Sequence, residues 1–233
     1  MKIIAGNWKM NGTSDALHTM ITALNDVETS NTVIICPPFT MLGVDGGRVA
    51  LGAQDVSAHD HGAFTGEVSA TMIAASGAKY VIVGHSERRQ YHNETNDIVR
   101  AKATAAIAAG LTPIICVGET MDEKNDGKTM AIIESGVREC IPTDARHVIV
   151  AYEPRWAIGA GLTPTREEIS AAHTLIADTL RDMGMDTTPI LYGASVKGSN
   201  ASEIMSIDHV DGVLVGGASL KPDDFIPIIT SVN

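Results

Sequence analysis

His147-Val148-Ile149-Val150-Ala151-Tyr152, then Glu153-Pro154, then Thr165-Arg166-Glu167-Glu168-Ile169 running on to Gly184, reads as one strand, one loop and one helix. The first run is short, rich in β-branched residues and almost continuously apolar. That is the signature of a strand covered on both faces, as in a parallel sheet. Beyond the loop, Ile169, Ala172, Ile176, Leu180 and Met183 recur at helical spacing and make one apolar stripe. Thr165 and Glu168 are spaced as a capping box at its start, and Gly184 supplies the stop. Outward from this unit the same alternation repeats. Further strand-like runs are Lys2–Asn7, Thr32–Cys36, Val49–Gln54, Lys79–Gly84, Thr112–Val117, Pro189–Tyr192 and Gly212–Val215. Helical stripes lie between them, as with Leu17, Met20, Ile21 and Leu24. Strands alternating with helices imply right-handed βαβ units. Eight such units can close into a barrel or stay open as a doubly wound sheet, and periodicity does not choose between the two. No linker or composition break divides the chain, so residues 1–233 are read as a single domain.

Composition narrows the function. A chain of 233 residues with 44% hydrophobic and 19% charged residues can bury a large core, which excludes disorder. A net charge of −11 argues against nucleic acid and against an anionic membrane surface. It leaves room for an anionic substrate, because backbone N–H groups can hold a phosphate without net positive charge. Cys36, Cys116 and Cys140 are odd in number and widely spaced, so neither a disulfide framework nor a zinc knuckle is expected. The opening Met1-Lys2-Ile3-Ile4-Ala5-Gly6-Asn7 soon turns polar, unlike a signal peptide, and no run is long enough to span a bilayer. A cytoplasmic protein is the expectation.

In either α/β architecture, functional groups gather beyond the carboxyl ends of the strands. The first run is followed by Asn7, Trp8 and Lys9, the fourth by His85, Ser86 and Glu87, and the sixth by Glu153. Small or glycine-rich loops follow the others: Gly159-Ala160-Gly161 after the sixth, Gly193-Ala194-Ser195 after the seventh, Gly216-Gly217 after the eighth. One set offers an acid, a base and a cation. The other offers N–H donors for an oxyanion or a phosphate. Singly, each has a plainer explanation: a strand-end histidine is more often structural, a lone lysine is usually solvated, and a two-glycine turn is common. His59-Asp60-His61 lacks partners at metal-ligand spacing and reads as loop, so no metal is expected. The combination is what points to catalysis.

Longer motifs carry a resemblance. Gly6-Asn7-Trp8-Lys9-Met10-Asn11, Val83-Gly84-His85-Ser86-Glu87-Arg88-Arg89, Ala151-Tyr152-Glu153-Pro154, Trp156-Ala157-Ile158-Gly159 and Leu214-Val215-Gly216-Gly217-Ala218-Ser219-Leu220 resemble the triosephosphate isomerase family, in family order. So do Gly52-Ala53-Gln54, Phe64-Thr65-Gly66-Glu67 and Ile115-Cys116-Val117-Gly118-Glu119, and the match spans essentially the whole chain. The resemblance implies a closed (β/α)₈ TIM barrel of α/β class. It implies interconversion of dihydroxyacetone phosphate and glyceraldehyde 3-phosphate through an enediolate, without a cofactor, in glycolysis and gluconeogenesis.

By the same resemblance Glu153 is the base and His85 a neutral imidazole, its pKa lowered by a helix starting near Ser86. Lys9 supplies fixed positive charge, Asn7 orients substrate, and Glu87 supports Lys9. Gly159, Ser195, Gly216 and Gly217 hold the phosphate, and Pro154–Thr163 forms a lid. The loop Phe64–Glu67 implies a homodimer.

The chain departs from the family in places. Arg155 stands where a small or medium apolar residue is usual and is expected to point to solvent. Leu162-Thr163-Pro164 lacks a common lysine. Ala194 replaces a glycine, at a cost of about 1 kcal/mol if that position needs positive φ. Segments Met41–Val49 and Lys128–Arg146 are short, which suggests trimmed helices. Two alternatives stay open: isomerisation of a related sugar phosphate such as a tetrulose phosphate, and a weakened barrel kept for binding.

Overall fold

The computed structural model describes residues 1–158 and 162–232. Eight strands run parallel: β1 Ile3–Asn7, β2 Thr32–Cys36, β3 Ala50–Ala53, β4 Tyr80–Val83, β5 Thr112–Val117, β6 Ile149–Tyr152, β7 Ile190–Tyr192 and β8 Gly212–Val215. They pair in chain order, and β1 joins β8 to close the barrel, with Ile4 beside both Val33 of β2 and Val213 of β8. Closure removes the sheet edges and settles the choice that periodicity left open. The surrounding helices are α1 Ser14–Asn25, α2 Ala70–Ala75, α3 Ser86–His92, α4 Asn96–Ala108, α5 Met121–Asn125, α6 Thr129–Cys140, α7 Arg166–Asp182, α8 Ala201–Met205 and α9 Pro222–Ile229.

Strand alternation divides the core in two. Ala5, Ile34, Cys36, Ile82, Ile114, Cys116, Ile149, Ala151, Leu191 and Leu214 fill the barrel interior. Their neighbours Ile4, Ile35, Val83, Val117, Val150 and Val213 face outward and pack with the helices. The stripe of α1 is buried as its spacing required, through Leu17, Met20, Ile21 and Leu24. In α7 the capping box of Thr165 and Glu168 forms, and Ile169, Ala172, Ile176 and Leu180 are buried. Cys36, Cys116 and Cys140 are free and buried, with burial pushing the Cys36 thiol up to about 12.

The shortened segments differ from each other. Between β2 and β3 the expected trimmed helix is gone, leaving the single 3₁₀ turn Phe39–Met41. Arg48 closes the gap: its Nη2 donates to the carbonyls of Asn25 and Val27, and its N–H donates to Asn25 Oδ1. Leu42 and Val44 lie partly buried against the core there. The segment before β6 keeps a full helix, α6.

One buried titratable group links this layer to pH. His173 of α7 is 0% exposed and its Nδ1 lies 2.9 Å from the His209 carbonyl. That contact makes Nδ1 the protonated nitrogen of a neutral ring, and burial lowers the pKa to about 4. The unfolded chain takes up this proton at the ordinary histidine pKa near 6.5. Between those values the unfolded state binds more protons, so stability falls as pH drops through the window, by up to about 3 kcal/mol. Urea unfolding at pH 7, 5.5 and 4.5 tests this. The native protein loses more stability than His173→Gln over that range; equal losses would clear His173 of the role.

Candidate active site at the carboxyl mouth of the barrel

The two-residue period of the strands carries functional side chains to the mouth. Ala5 points into the barrel, so Asn7 comes up on the same side, and Lys9 follows beyond the end of β1. Ile149 and Ala151 point inward, and Glu153 follows them. Leu191 places Gly193 inward, and Leu214 places Gly216 inward. The geometry agrees: a Cβ on Gly193 would sit 3.0 Å from Glu153 Cγ, and one on Gly216 would sit 3.6 Å from Lys9 Cε. His85 has the wrong parity, since Val81 and Val83 face outward. Gly84, at φ +67°, breaks the pleat and brings His85 to the mouth. Asn7, Lys9, His85, Glu153, Ser195, Gly216 and Gly217 therefore line one cavity of about 320 Å³. Of the residues singled out in the sequence, Gly159 lies outside the described residues, as do Ala160 and Gly161 of the lid.

Lys9 is held in place by its backbone. It adopts the left-handed region at φ +53°, which costs a residue with a Cβ about 1–2 kcal/mol. Two hydrogen bonds offset that cost. Asn7 Oδ1 accepts the Lys9 N–H at 3.0 Å, and Gln54 Nε2 donates to the Lys9 carbonyl at 2.9 Å. Lys9 Nζ reaches Glu87 Oε1 at 2.6 Å, so the expected pairing is present.

His85 and Glu153 meet directly. His85 Nε2 lies 3.0 Å from Glu153 Oε1, and the Ser86 N–H donates to Glu153 Oε2 at 2.8 Å. Both side chains are buried, at 7% and 3% exposure, which strengthens every charge interaction between them. Helix α3 begins at Ser86 with His85 as its N-cap, and the Glu87 N–H donates to His85 Nδ1 at 3.2 Å. The expected helix N-terminus is thus in contact with the ring. The expected lowering of the His85 pKa does not result: burial lowers it, but Glu153 and Glu87 outweigh that and hold it above the ordinary value. The hydrogen bonds fix the protonation in this arrangement. An N–H aimed at Nδ1 needs a lone pair there, so the ring is neutral with its hydrogen on Nε2, facing Glu153. Burial raises the Glu153 pKa, but His85, the Ser86 N–H and Lys9 outweigh it and hold the carboxylate below its usual range.

Several residues in the site had not been assigned roles from the sequence. Glu119, 1% exposed, accepts from Trp156 Nε1 at 2.8 Å through Oε1, and its carbonyl accepts the Arg155 N–H at 3.0 Å. It ties the loop after β6 to the loop after β5. Asn200 Nδ2 donates to the Ser195 carbonyl at 3.0 Å and fixes the loop after β7. An acid right after a strand, as Glu119 is after β5, was the available signal; Asn200 had none. Ala194 is not among the positive-φ residues, so its replacement of glycine brings no backbone strain in this structure. Arg155 corrects an expectation. It is half-buried and lines a cavity beside the catalytic one, instead of pointing to solvent. His59 stacks on Phe64 with ring centroids 3.8 Å apart, and His61 Nδ1 sits 3.2 Å from Asp60.

Gly193 gives a direct test of how tightly the mouth is packed. Gly193→Ala puts a methyl group 3.0 Å from Glu153 Cγ. The carboxylate is then displaced, and turnover falls by roughly tenfold or more, since sub-ångström misplacement of a reacting group is costly. Steady-state kinetics of the variant check it; unchanged kcat would mean that Glu153 has slack.

An eight-stranded parallel barrel whose mouth holds a carboxylate, a neutral imidazole and an ammonium defines a (β/α)₈-barrel enzyme of acid–base chemistry. Comparison with known proteins sharpens the class. The family model described as triosephosphate isomerase matches residues 2–232. A triosephosphate isomerase of Alkalilimnicola ehrlichii is 46% identical, with 99% of this chain and 98% of the relative covered. One of Acidiphilium cryptum is 44% identical over the same shares. The crystal structure of triosephosphate isomerase from Bartonella henselae superposes with a TM-score of 0.90 at 38% identity, covering 99% of this chain and 98% of that one. The chain belongs to the triosephosphate isomerase family, and it is an isomerase.

Proposed function

We propose that this protein interconverts dihydroxyacetone phosphate and glyceraldehyde 3-phosphate, in glycolysis and gluconeogenesis, with Glu153, His85, Lys9, Asn7 and Glu87 as the working side chains. The observation that carries this reading is the 3.0 Å approach of His85 Nε2 to Glu153 Oε1 inside a cavity that Lys9 also lines. Glu153 removes the proton from C1 of the ketose, and the electron pair forms the C1–C2 double bond of an enediolate. The His85 Nε2–H faces the two oxygens and carries a proton from O1 to O2. Glu153 returns its proton to C2. Lys9 balances the negative charge that develops on the oxygens, where a preorganised cation is most effective. The oxidation level of the triose as a whole is unchanged, so these groups suffice without a cofactor.

Substrate must take the Nε2–H away from Glu153. Burial of the carboxylate is then less opposed, its pKa rises, and it becomes a stronger base at the moment it is needed. Asn7 acts through Lys9, by accepting its N–H. At the other end of the cavity, N–H groups near Ser195, Gly216 and Gly217 take the phosphate, together with Gly159. Gly217 fits that use because a Cβ there would meet nothing within 4 Å, leaving room for a ligand. A coupled assay on glyceraldehyde 3-phosphate with purified protein tests the reading; absence of turnover rejects it.

The protein is further proposed to act as a single-domain subunit of a homodimer in the cytoplasm. Support for self-association comes from exposed apolar side chains, Met10 after β1, Phe64 in the loop after β3 and Met72 on α2, at 96%, 39% and 60% exposure. Among the described residues no helix is long and apolar enough to cross a membrane. Light scattering on the purified protein gives the assembly mass, and a monomer would reject the dimer.

A further inference from the structure

A second cavity, of about 570 Å³, adjoins the catalytic one and is lined by residues that include Lys9, Gln90, Tyr91, Arg155, Trp156 and Ile158. Lys9 and Ile158 line both cavities, so the two meet at these residues. The phosphate end of the catalytic cavity, at Ser195, Gly216 and Gly217, is absent from the lining of the second one. Along the mouth the order is therefore phosphate grip, reacting groups, lateral cavity.

Arg155 gives the lateral cavity its chemistry. Its main-chain N–H is fixed on the Glu119 carbonyl, while its half-buried guanidinium has no hydrogen bond or ion pair among the described residues. Burial and the nearby Arg89 hold its pKa below the ordinary arginine value, as for a cation short of an anion. Two acids also line this cavity: Glu87, which is taken by Lys9, and Asp122, which is exposed. The acids acting on Arg155 are Glu123, bonded to Thr120 at the start of α5, and Glu153, held by His85 and the Ser86 N–H. A planar fork of donors in such a place suits a carboxylate, which it can hold through two parallel hydrogen bonds.

We propose that the lateral cavity is a second anion subsite, in which Arg155 holds the terminal carboxylate of phosphorylated sugar acids longer than the triose. Their phosphate occupies the Ser195–Gly217 end, so the inference rests on the phosphate site of the proposed function. Such acids lie across Lys9 and Glu153 but present no carbonyl next to a removable C–H proton in the right register. They act as competitive inhibitors and are not turned over.

The test compares two four-carbon compounds that differ only at the far end, 4-phosphoerythronate with a carboxylate and erythritol 4-phosphate with a hydroxymethyl group. Competitive inhibition constants are measured against glyceraldehyde 3-phosphate. In the native enzyme the carboxylate compound binds at least about tenfold more tightly, roughly 1.4 kcal/mol. The ratio falls to near one in Arg155→Gln and is largely kept in Arg155→Lys. A ratio near one in the native enzyme, or the same ratio in Arg155→Gln, overturns the subsite while leaving the isomerase reading intact. A native enzyme that neither turns over triose phosphate nor binds either compound overturns both.

Discussion

Glu153→Asp lowers kcat by roughly 10²–10⁴-fold, the range that a positioned general base contributes, with little change in substrate affinity. The reason is geometric. Glu153 starts its side chain from the end of β6 and reaches both His85 Nε2 and the Ser86 N–H, at 3.0 and 2.8 Å. Aspartate is one methylene shorter and cannot keep a carboxylate oxygen at that position while β6 stays in the barrel. The proposed phosphate grip at Ser195, Gly216 and Gly217 follows β7 and β8 and is untouched, so binding survives while proton transfer fails. Single-turnover and steady-state kinetics together separate the two. Near-native kcat in this variant would remove Glu153 from the reaction.

Lys9→Met produces an effect of similar size through charge. Methionine keeps most of the apolar stem and loses the ammonium, so cavity shape is largely preserved. The enediolate loses its nearest cation, worth about 10²–10³-fold in kcat by analogy with removal of one oxyanion donor. Glu87, whose Oε1 lies 2.6 Å from Lys9 Nζ and which lines the adjoining cavity, is then left without its partner beside the site and repels the dianionic phosphate ligand. KM therefore rises as well, which distinguishes this variant from Glu153→Asp. Lys9→Arg restores charge but not position, because the left-handed backbone at residue 9 aims a compact ammonium. Kinetics of both variants check this; a Lys9→Met enzyme with unchanged kcat and KM would show that the charge is not used.

Strand existence and order were legible because doubly covered parallel strands must be short, apolar and β-branched, and β1 through β8 are. Barrel closure was not legible from periodicity, because Ile4 packs outward in the same way whether its second neighbour is β8 or nothing. Only the motifs resembling a known family selected the closed form. Glu153 and Asn7 could be placed from strand parity, but Lys9 lies beyond the end of β1 in a left-handed conformation that parity does not give. His85 could not, because its position depends on Gly84 reversing the pleat through a positive φ. The support around these groups was harder to see. Gln54 works through an amide bonded to two carbonyls, Asn200 through one bond to Ser195, and neither type of contact leaves a spacing in the chain. Arg155 was expected in solvent because an isolated arginine usually is. The cavity it lines is walled in part by Tyr91 of α3 and Met121 of α5, which are distant from Arg155 in sequence.

The proton path through Glu153 is tested most directly by conversion of dihydroxyacetone phosphate in D₂O, followed by NMR over many turnovers. A carboxylate that takes a proton from C1 and delivers one to C2 leaves deuterium accumulating at C2 of glyceraldehyde 3-phosphate, and Glu153→Gln loses both label and product. Isomerisation that proceeds at full rate with no deuterium on carbon, however long it runs, would mean a direct hydrogen shift and would contradict the proposed role of this site.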